Sequence, residues 1–266
     1  MLKIAVLGAS GRMGQAVIRC IDEAEDLLIT GGVTEPGDVA IGRDIGQLCG
    51  IDTLDICLTD NAEKVLNEAQ VAIDFTLPSA TIENVNACVS SNTAFVIGTT
   101  GLKQKEMNAL EYGATKIPVV HGRNMSVGMN VFIDLVSRAT KALEADYDVE
   151  ITEAHHRKKI DSPSGTALAL GEEIAKIRGQ KFDDIAVYER HGHVGARTPG
   201  TIGFSVVRAG NIVGDHTVLF AGPEEGVELT HRAIDRSAFA RGAVRAAKWA
   251  SKRKPGLYTM GDVLGL

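Results

Sequence analysis

The opening of the chain constrains it most. Lys3 to Leu7 is a short apolar run of β-forming residues, Gly8 to Gly14 reads Gly-Ala-Ser-Gly-Arg-Met-Gly, and Val17, Ile18 and Ile21 follow at helical spacing. Strand, tight turn and helix in that order begin a βαβ unit. Leu27 to Val33 supplies the second strand, because two parallel strands need such a crossover. Glycine permits the turn and lets backbone N–H groups approach a pyrophosphate, whose charge is favoured at a helix N-terminus. The spacing is G-x-x-G-x-x-G, not the commoner G-x-G-x-x-G. Glu35 lies 21 residues after Gly14, just past the second strand, where a carboxylate accepts hydrogen bonds from the ribose hydroxyls of NAD. A glycine-rich turn beside an unrelated surface glutamate is the plain alternative, and the strand-to-helix setting weighs against it. Pro36 stands where an arginine would grip a 2'-phosphate and Arg12 replaces it only in part, so NADH is expected to serve at least as well as NADPH.

Apolar runs at Val71 to Phe75, Phe95 to Ile97 and Pro118 to Val120 alternate with helical stretches at Thr81 to Val89 and Lys103 to Tyr112. That alternation predicts a mainly parallel sheet with helices on both faces, a Rossmann-like dinucleotide-binding domain in an α/β protein. Gly98-Thr99-Thr100-Gly101 ends one of its strands, where ligands of open α/β sheets sit, so the loop is expected to border the nicotinamide. A polar turn chosen for its geometry explains the loop equally well when it is read alone.

After about Asn124 the texture changes. Val127, Val131, Phe132, Leu135, Ala139 and Leu143 mark a long amphipathic helix leading into a second domain. Strand-like runs follow at Asp148 to Ala154, Ile185 to Glu189, Gly203 to Arg208, Ile212 to Phe220 and Val227 to His231, with one clear helix, Thr166 to Ile177, among them. They predict an α+β domain with an open, mainly antiparallel sheet. Arg208-Ala209-Gly210-Asn211 has turn chemistry between two of the runs and predicts a hairpin. The Ala-rich helix Ser237 to Ala250 is expected to pack back on the first domain. The expected division is 1–126 with 236–266 for dinucleotide binding, and 127–235 for substrate binding and oligomerisation.

The chemistry concentrates at Glu153-Ala154-His155-His156-Arg157-Lys158-Lys159-Ile160-Asp161-Ser162-Pro163-Ser164-Gly165-Thr166-Ala167. Five consecutive His, Arg or Lys residues in a chain of net charge −6 end a strand and run into a helix-capping sequence. A solvated basic face is the usual meaning of such a run, and helix initiation alone accounts for Ser164 and Thr166. Together, backbone amides at a helix start and adjacent cations suit a small dianion. His and Lys are also the groups needed where a hydride reaches a ring carbon and a proton must follow, a contribution of roughly 10²- to 10⁴-fold. His155 and His156 would face opposite sides of a strand if the strand persisted that far, and so would need different roles.

The net charge of −6 argues against bulk phosphate attraction, so no nucleic-acid partner is expected. No apolar stretch reaches the roughly 18 to 20 residues of a membrane span, and Met1 to Leu7 runs into a strand without a basic leader, so the expectation is a cytoplasmic protein with no membrane partner. Cys20, Cys49, Cys57 and Cys88 form no C-x-x-C pair or disulfide framework. Cys20 and Cys88 sit in helical patterns as small buried residues, and no cysteine lies beside a basic group in a candidate site, so thiol catalysis is not expected. His191 and His193 lack companion ligands and no metal is expected, while Tyr188, Arg190 and Arg197 suit packing or the rim of a cleft.

The Gly8 to Gly14 loop, Ile73-Asp74-Phe75-Thr76, Gly98 to Gly101, Asn124-Met125-Ser126-Val127-Gly128, the Glu153 to Thr166 stretch and Pro199-Gly200-Thr201-Ile202-Gly203-Phe204 resemble the 4-hydroxy-tetrahydrodipicolinate reductase family, in family order along nearly the whole chain. The resemblance implies reduction of that cyclic lysine-pathway intermediate to tetrahydrodipicolinate by NADH or NADPH, with loss of water. It implies His155 as general acid or base and Lys159 as proton donor, with His156, Gly165 and Thr166 binding the dicarboxylate. It assigns the cofactor to Gly8, Ala9, Ser10, Gly11, Arg12, Met13, Glu35, Gly98, Thr99, Thr100, Gly122, Arg123, Asn124 and Met125, and implies a homotetramer built through the second-domain sheets. Pro36 departs from a region where relatives often carry a basic residue, and Gly122-Arg123 from one where small residues are usual. Two rivals remain: another two-domain NAD(P)-dependent dehydrogenase, acting on aspartate semialdehyde or a hydroxy acid, and a non-catalytic NADH-sensing regulator that would need neither His155 nor Lys159.

Overall fold

The computed structural model describes residues 1–143 and 146–266. The chain divides into two compact units, Met1–Val127 with Arg236–Leu266 and Gly128–Asp235. The first begins β1 (Leu2–Leu7), α1 (Arg12–Asp22), β2 (Leu27–Val33), α2 (Ile45–Cys49), α3 (Ala62–Leu66), β3 (Val71–Asp74), α4 (Thr81–Ser90), β4 (Ala94–Ile97), α5 (Gln104–Ala114) and β5 (Pro118–His121). Next comes α6 (Val127–Ala142), then β6 (Asp148–His155), α7 (Gly165–Ile177), α8 (Phe182–Ile185), β7 (Ala186–Val187), β8 (Ile202–Arg208), β9 (Gly214–Ala221) and β10 (Gly226–Ala233). The chain then completes the first unit with α9 (Ser237–Ala250), β11 (Gly256–Tyr258) and α10 (Met260–Leu264).

The six strands of the first unit lie in the order β11-β5-β4-β3-β1-β2, and every pairing is parallel. Alternation in β1 shows why the sheet is covered on both faces. Ile4 and Val6 join a cluster with Val17, Ile18 and Ile21 of α1 and the alanines of α9, whereas Ala5 and Leu7 face Val85, Cys88 and Leu110 on α4 and α5. Each of the Val, Leu and Ile side chains among them, fully buried, contributes roughly 1.5–3 kcal/mol. The chain winds from β1 outward to β2 and then returns to place β3 on the other side of β1, so the strand order reverses between β1 and β3. The sixth strand, β11, and the small helices α2, α3 and α10 are not foreshadowed by the sequence pattern.

Among the described residues, the five strands of the second unit lie in the order β10-β9-β6-β8-β7, with β10–β9–β6 antiparallel and β6–β8–β7 parallel. One face packs on α6 and α7 through Val149, Ile151, Ile202, Val218 and Phe220 against Phe132, Val136, Leu170 and Ile174. Three expectations are corrected. Arg208 to Asn211 does not make a hairpin: β6 lies between β8 and β9, and the connection crosses its end, where Ala209 donates its amide to the His155 carbonyl at 2.9 Å. Turn chemistry specifies a reversal but not which strand fills the gap. The run Ile185 to Glu189 shrinks to the two residues of β7, because α8 takes Phe182–Ile185. On α6 the buried stripe is Met129, Phe132, Val136 and Thr140, while Val131 and Leu135 are exposed. Both stripes have helical spacing, and only the position of the sheet decides between them.

The alanines of α9 allow a close approach. Ala240, Ala243, Ala246, Ala247 and Ala250 are fully buried, and a Cβ on Gly242 would overlap the Met125 carbonyl oxygen. Gly242→Ala is therefore expected to cost about 1–3 kcal/mol through overpacking against backbone. The denaturant midpoint measures it, and an unchanged midpoint would contradict the close packing.

Candidate active site

Among the described residues, two clusters of chemically competent side chains stand out, one in each unit. The first forms where the strand order reverses. Gly8 leaves β1 with φ +79°, a conformation that favours glycine, and a Cβ there would lie 2.9 Å from the Phe75 carbonyl oxygen. Gly14, in the first turn of α1, would collide with the Gly8 carbonyl if it carried a side chain. The helix start thus packs onto the loop after β1, and its N-cap, Gly11, offers no side-chain acceptor to the first-turn amides. Ser10 donates to Thr34 at 2.7 Å, and Thr34 passes its own hydrogen to Asp38 at 2.7 Å, which ties the loop to the end of β2. Glu35 follows directly and is exposed.

Beside this loop is a cleft of about 330 Å³ lined by Met13, Phe75, Thr76, Gly98, Thr99, Thr100, Arg123, Asn124, Met125 and Phe239. Its wall depends on Asp74, fully buried at the end of β3. One Asp74 oxygen accepts the Thr76 amide at 2.7 Å, Asn84 binds Thr76 Oγ1 at 3.1 Å, and Thr99 donates to the Thr76 carbonyl at 3.2 Å. Burial pushes the Asp74 carboxyl above the usual carboxylate range, against the bonds from Thr76, Asn84 and Thr99 that favour ionisation. Gly98 has no Cβ to keep out the Phe75 ring, which occupies that space.

The second cluster gathers at the end of β6. Strand alternation puts Glu153 and His155 on one face, the parallel neighbour β8 brings Arg208 into register with His155, and the antiparallel neighbour β9 brings His216 opposite Glu153. Glu153 is buried, its Oε2 lies 2.6 Å from His155 Nδ1, and both Arg208 terminal nitrogens bind the carboxylate at 2.7 Å. The Ser164 amide adds a fourth bond at 2.9 Å. Burial by itself would raise the Glu153 pKa, but Arg208, His155 and Ser164 outweigh it and hold the group below the usual range. Ser164 also caps α7, accepting from the Ala167 amide at 3.2 Å, and its hydroxyl lies 3.1 Å from His216 Nε2. His216 meets the His155 ring edge-on at a centroid distance of 5.2 Å.

The strand ends at His155, so His156 begins a turn whose carbonyl accepts the Lys159 amide at 3.0 Å. Lys159 reaches back to Asp161 at 2.8 Å. Gly165 and Thr166 open α7, and a Cβ on Gly165 would meet open space. The Ser164 amide is already taken by Glu153. Arg190 and Arg197 both pair with Glu150, and Tyr188 stacks on Phe204.

Of the residues singled out for a cofactor, Met13, Gly98, Thr99, Thr100, Arg123, Asn124 and Met125 line one cleft, whereas Gly8, Ala9, Ser10, Gly11 and Arg12 form the neighbouring loop and Glu35 stands beyond it. Gly122 is buried and gives room to the Met125 sulfur. Phe75 and Thr76 were legible as part of a strand-end motif. Phe239 was not, since only the return of α9 brings it there. In the second cluster the sequence pointed to His155 and Lys159 but missed Arg208 and His216, more than 50 residues downstream and joined to β6 only by strand pairing.

Fold and geometry define a class, an oxidoreductase using an NAD(P)-type dinucleotide. Residues 2–125 match the family model "Dihydrodipicolinate reductase, N-terminus", and residues 128–264 match its C-terminal counterpart. The chain is 49% identical over 264 residues to a 4-hydroxy-tetrahydrodipicolinate reductase of Alkalilimnicola ehrlichii, covering 99% of both chains. It is 47% identical over 267 residues to one from Pseudomonas fluorescens, covering all of both. Among solved structures, a dipicolinate-bound dihydrodipicolinate reductase from Paenisporosarcina sp. TG-14 aligns with TM-score 0.76 and 22% identity over 97% of each chain, which speaks to fold. The chain belongs to the 4-hydroxy-tetrahydrodipicolinate reductase family, oxidoreductases of lysine and diaminopimelate biosynthesis. No helix among the described residues is long and apolar enough to cross a membrane.

Burial, then the neighbouring His155, pushes the His216 pKa down to about 4 from 6.5. A group lowered on folding contributes stability that is full above its unfolded pKa and is lost as pH falls through the folded value. His216 should therefore remove up to about 3 kcal/mol of stability between pH 6.5 and 4. Denaturation of His216→Gln across that window should show a flatter decline than the parent; equal slopes would contradict a buried neutral imidazole.

Proposed function

We propose that this chain reduces 4-hydroxy-tetrahydrodipicolinate to tetrahydrodipicolinate with loss of water, using His155 as general acid–base and Lys159 as proton donor. The observation that carries this reading is the His155 imidazole on the buried Glu153 carboxylate, at a strand end that continues into cations and a helix start. Bound at the glycine loop and the adjoining cleft, the nicotinamide would supply the hydride. An uncapped helix start, a loop kept free of side chains by Gly8 and Gly14, and an aromatic-walled cleft fit such a group.

The residues of this chain do the rest. Gly8 to Met13 hold the pyrophosphate with backbone amides, Glu35 accepts from the ribose, and Gly98 to Thr100 with Gly122 to Met125 border the nicotinamide. Gly165 and Thr166 offer helix-start amides to one substrate carboxylate, and His156 binds the substrate beside them. Lys159 delivers the proton that accompanies hydride arrival, which requires it to leave Asp161 when substrate binds. Cytoplasmic residence and a homotetramer follow from family membership as part of the same proposal. The dipicolinate bound to the related Paenisporosarcina reductase supports a planar dicarboxylate as ligand.

Glu35 followed by Pro36 favours a free 2'-hydroxyl over a 2'-phosphate, so kcat/KM with NADH should equal or exceed that with NADPH. Glu35→Ala should lower the NADH value severalfold and leave the NADPH value nearly unchanged. A strong NADPH preference in the parent would refute this part. Lys159→Ala should reduce turnover roughly a hundredfold or more with cofactor affinity intact, because only the proton-transfer contribution is removed. The assay follows NADH oxidation with freshly generated pathway substrate, beside aspartate semialdehyde alone. Activity with semialdehyde alone, or near-parental turnover in the variant, would overturn the assignment.

A further inference from the structure

We propose that Glu153, clamped by Arg208, is the positioning residue that fixes His155 as its Nδ1–H tautomer and leaves Nε2 to exchange the proton. The inference rests on the reading of His155 as the acid–base group and names what makes that group competent.

The argument is one of hydrogen-bond capacity. Oε1 accepts the Ser164 amide at 2.9 Å and one Arg208 nitrogen at 2.7 Å; Oε2 accepts the other Arg208 nitrogen at 2.7 Å and faces His155 Nδ1 at 2.6 Å. A guanidinium and a backbone amide can only donate, so three of the four lone-pair positions are filled by obligate donors. The fourth faces His155. A proton could sit only on that fourth position, and the Arg208 cation bound to both oxygens with the Ser164 amide favours the ionised form, so the carboxylate stays an acceptor and Nδ1 carries the hydrogen. In the neutral ring the lone pair then lies on Nε2. Nε2 lies on the side of Gly214, where a Cβ would come within 3.0 Å of it. The Glu153 side chain has no exposure and that of His155 keeps 12%, so only the histidine of the pair can exchange with a ligand.

The same four bonds join elements distant in sequence. Arg208 comes from the end of β8, Ser164 from the cap of α7, and His155 from the end of β6. Ring orientation therefore depends on strand pairing, which is possible only because β6 lies between β8 and β9. Arg208 also binds the Asp161 carbonyl at 2.7 Å, so the clamp extends to the turn that holds Lys159.

Nitrogen-15 NMR of the full-length protein labelled at histidine tests this without any loss of fold. The His155 signals are assigned by their disappearance in His155→Gln, and the parent should show the Nδ1–H tautomer. An Nε2–H tautomer in the parent would overturn the proposal. Glu153→Gln replaces one acceptor by a donor, so it should shift the ring toward Nε2–H and lower kcat roughly tenfold or more, with cofactor KM within about twofold. Glu153→Asp keeps the charge and should recover part of the loss. Parental kcat and an unchanged tautomer in Glu153→Gln would sink the positioning role even if His155→Gln is inactive. Parental turnover in His155→Gln would instead overturn the acid–base reading on which this inference stands, whatever the tautomer.

Discussion

A buried carboxylate can exist in a protein only if its oxygens are satisfied, and Glu153 turns that requirement into architecture. Leaving it unpaired would cost several kcal/mol, so the fold must bring Arg208, the Ser164 amide and His155 to it together. Meeting the requirement closes the end of β6, starts α7 and sets the orientation of a histidine. Breaking one partner would leave an uncompensated charge in a place water does not reach. The cluster therefore holds or fails as a unit, which is how a site keeps the small positional tolerance that proton transfer needs.

The first unit solves a different problem, how to pack its strand-end loops closely together. It does so by removing atoms. Gly8, Gly14 and Gly98 are each placed where a Cβ would meet backbone or the Phe75 ring. Asp74 beneath them performs the same service for Thr76 and Thr99 that Glu153 performs for His155, since its oxygens order the loops after two strands. In both units a buried acid near a strand terminus organises the residues of the candidate site, and in neither is that acid itself exposed.

Much of this was legible in the chain. The glycine loop between a strand and a helix led to the parallel sheet, and the Glu153 to Thr166 stretch led to the strand end and helix start where the cations sit. What stayed hidden was long-range. Arg208 looked like part of a turn, His216 like one polar residue in an alternating strand, and Phe239 like one residue of an Ala-rich helix. Each owes its role to pairing or packing across tens of residues, for which local periodicity carries no signal. The misread hairpin has the same cause: turn residues prescribe a reversal within a few positions, but the strand inserted beside β8 comes from about 50 residues earlier.

The sequence by itself determined the things that depend on near neighbours: where most of the longer strands and helices lie, which turn before a helix demands glycine, and the family. Only the tertiary structure decided which stripe of α6 is buried, that β6 separates β8 from β9, and that Arg208 and His216 flank Glu153. The reason is range. Dihedral preference, capping and alternation act over at most a turn or two, whereas burial and the satisfaction of a buried charge are settled by whichever distant segments arrive to cover it.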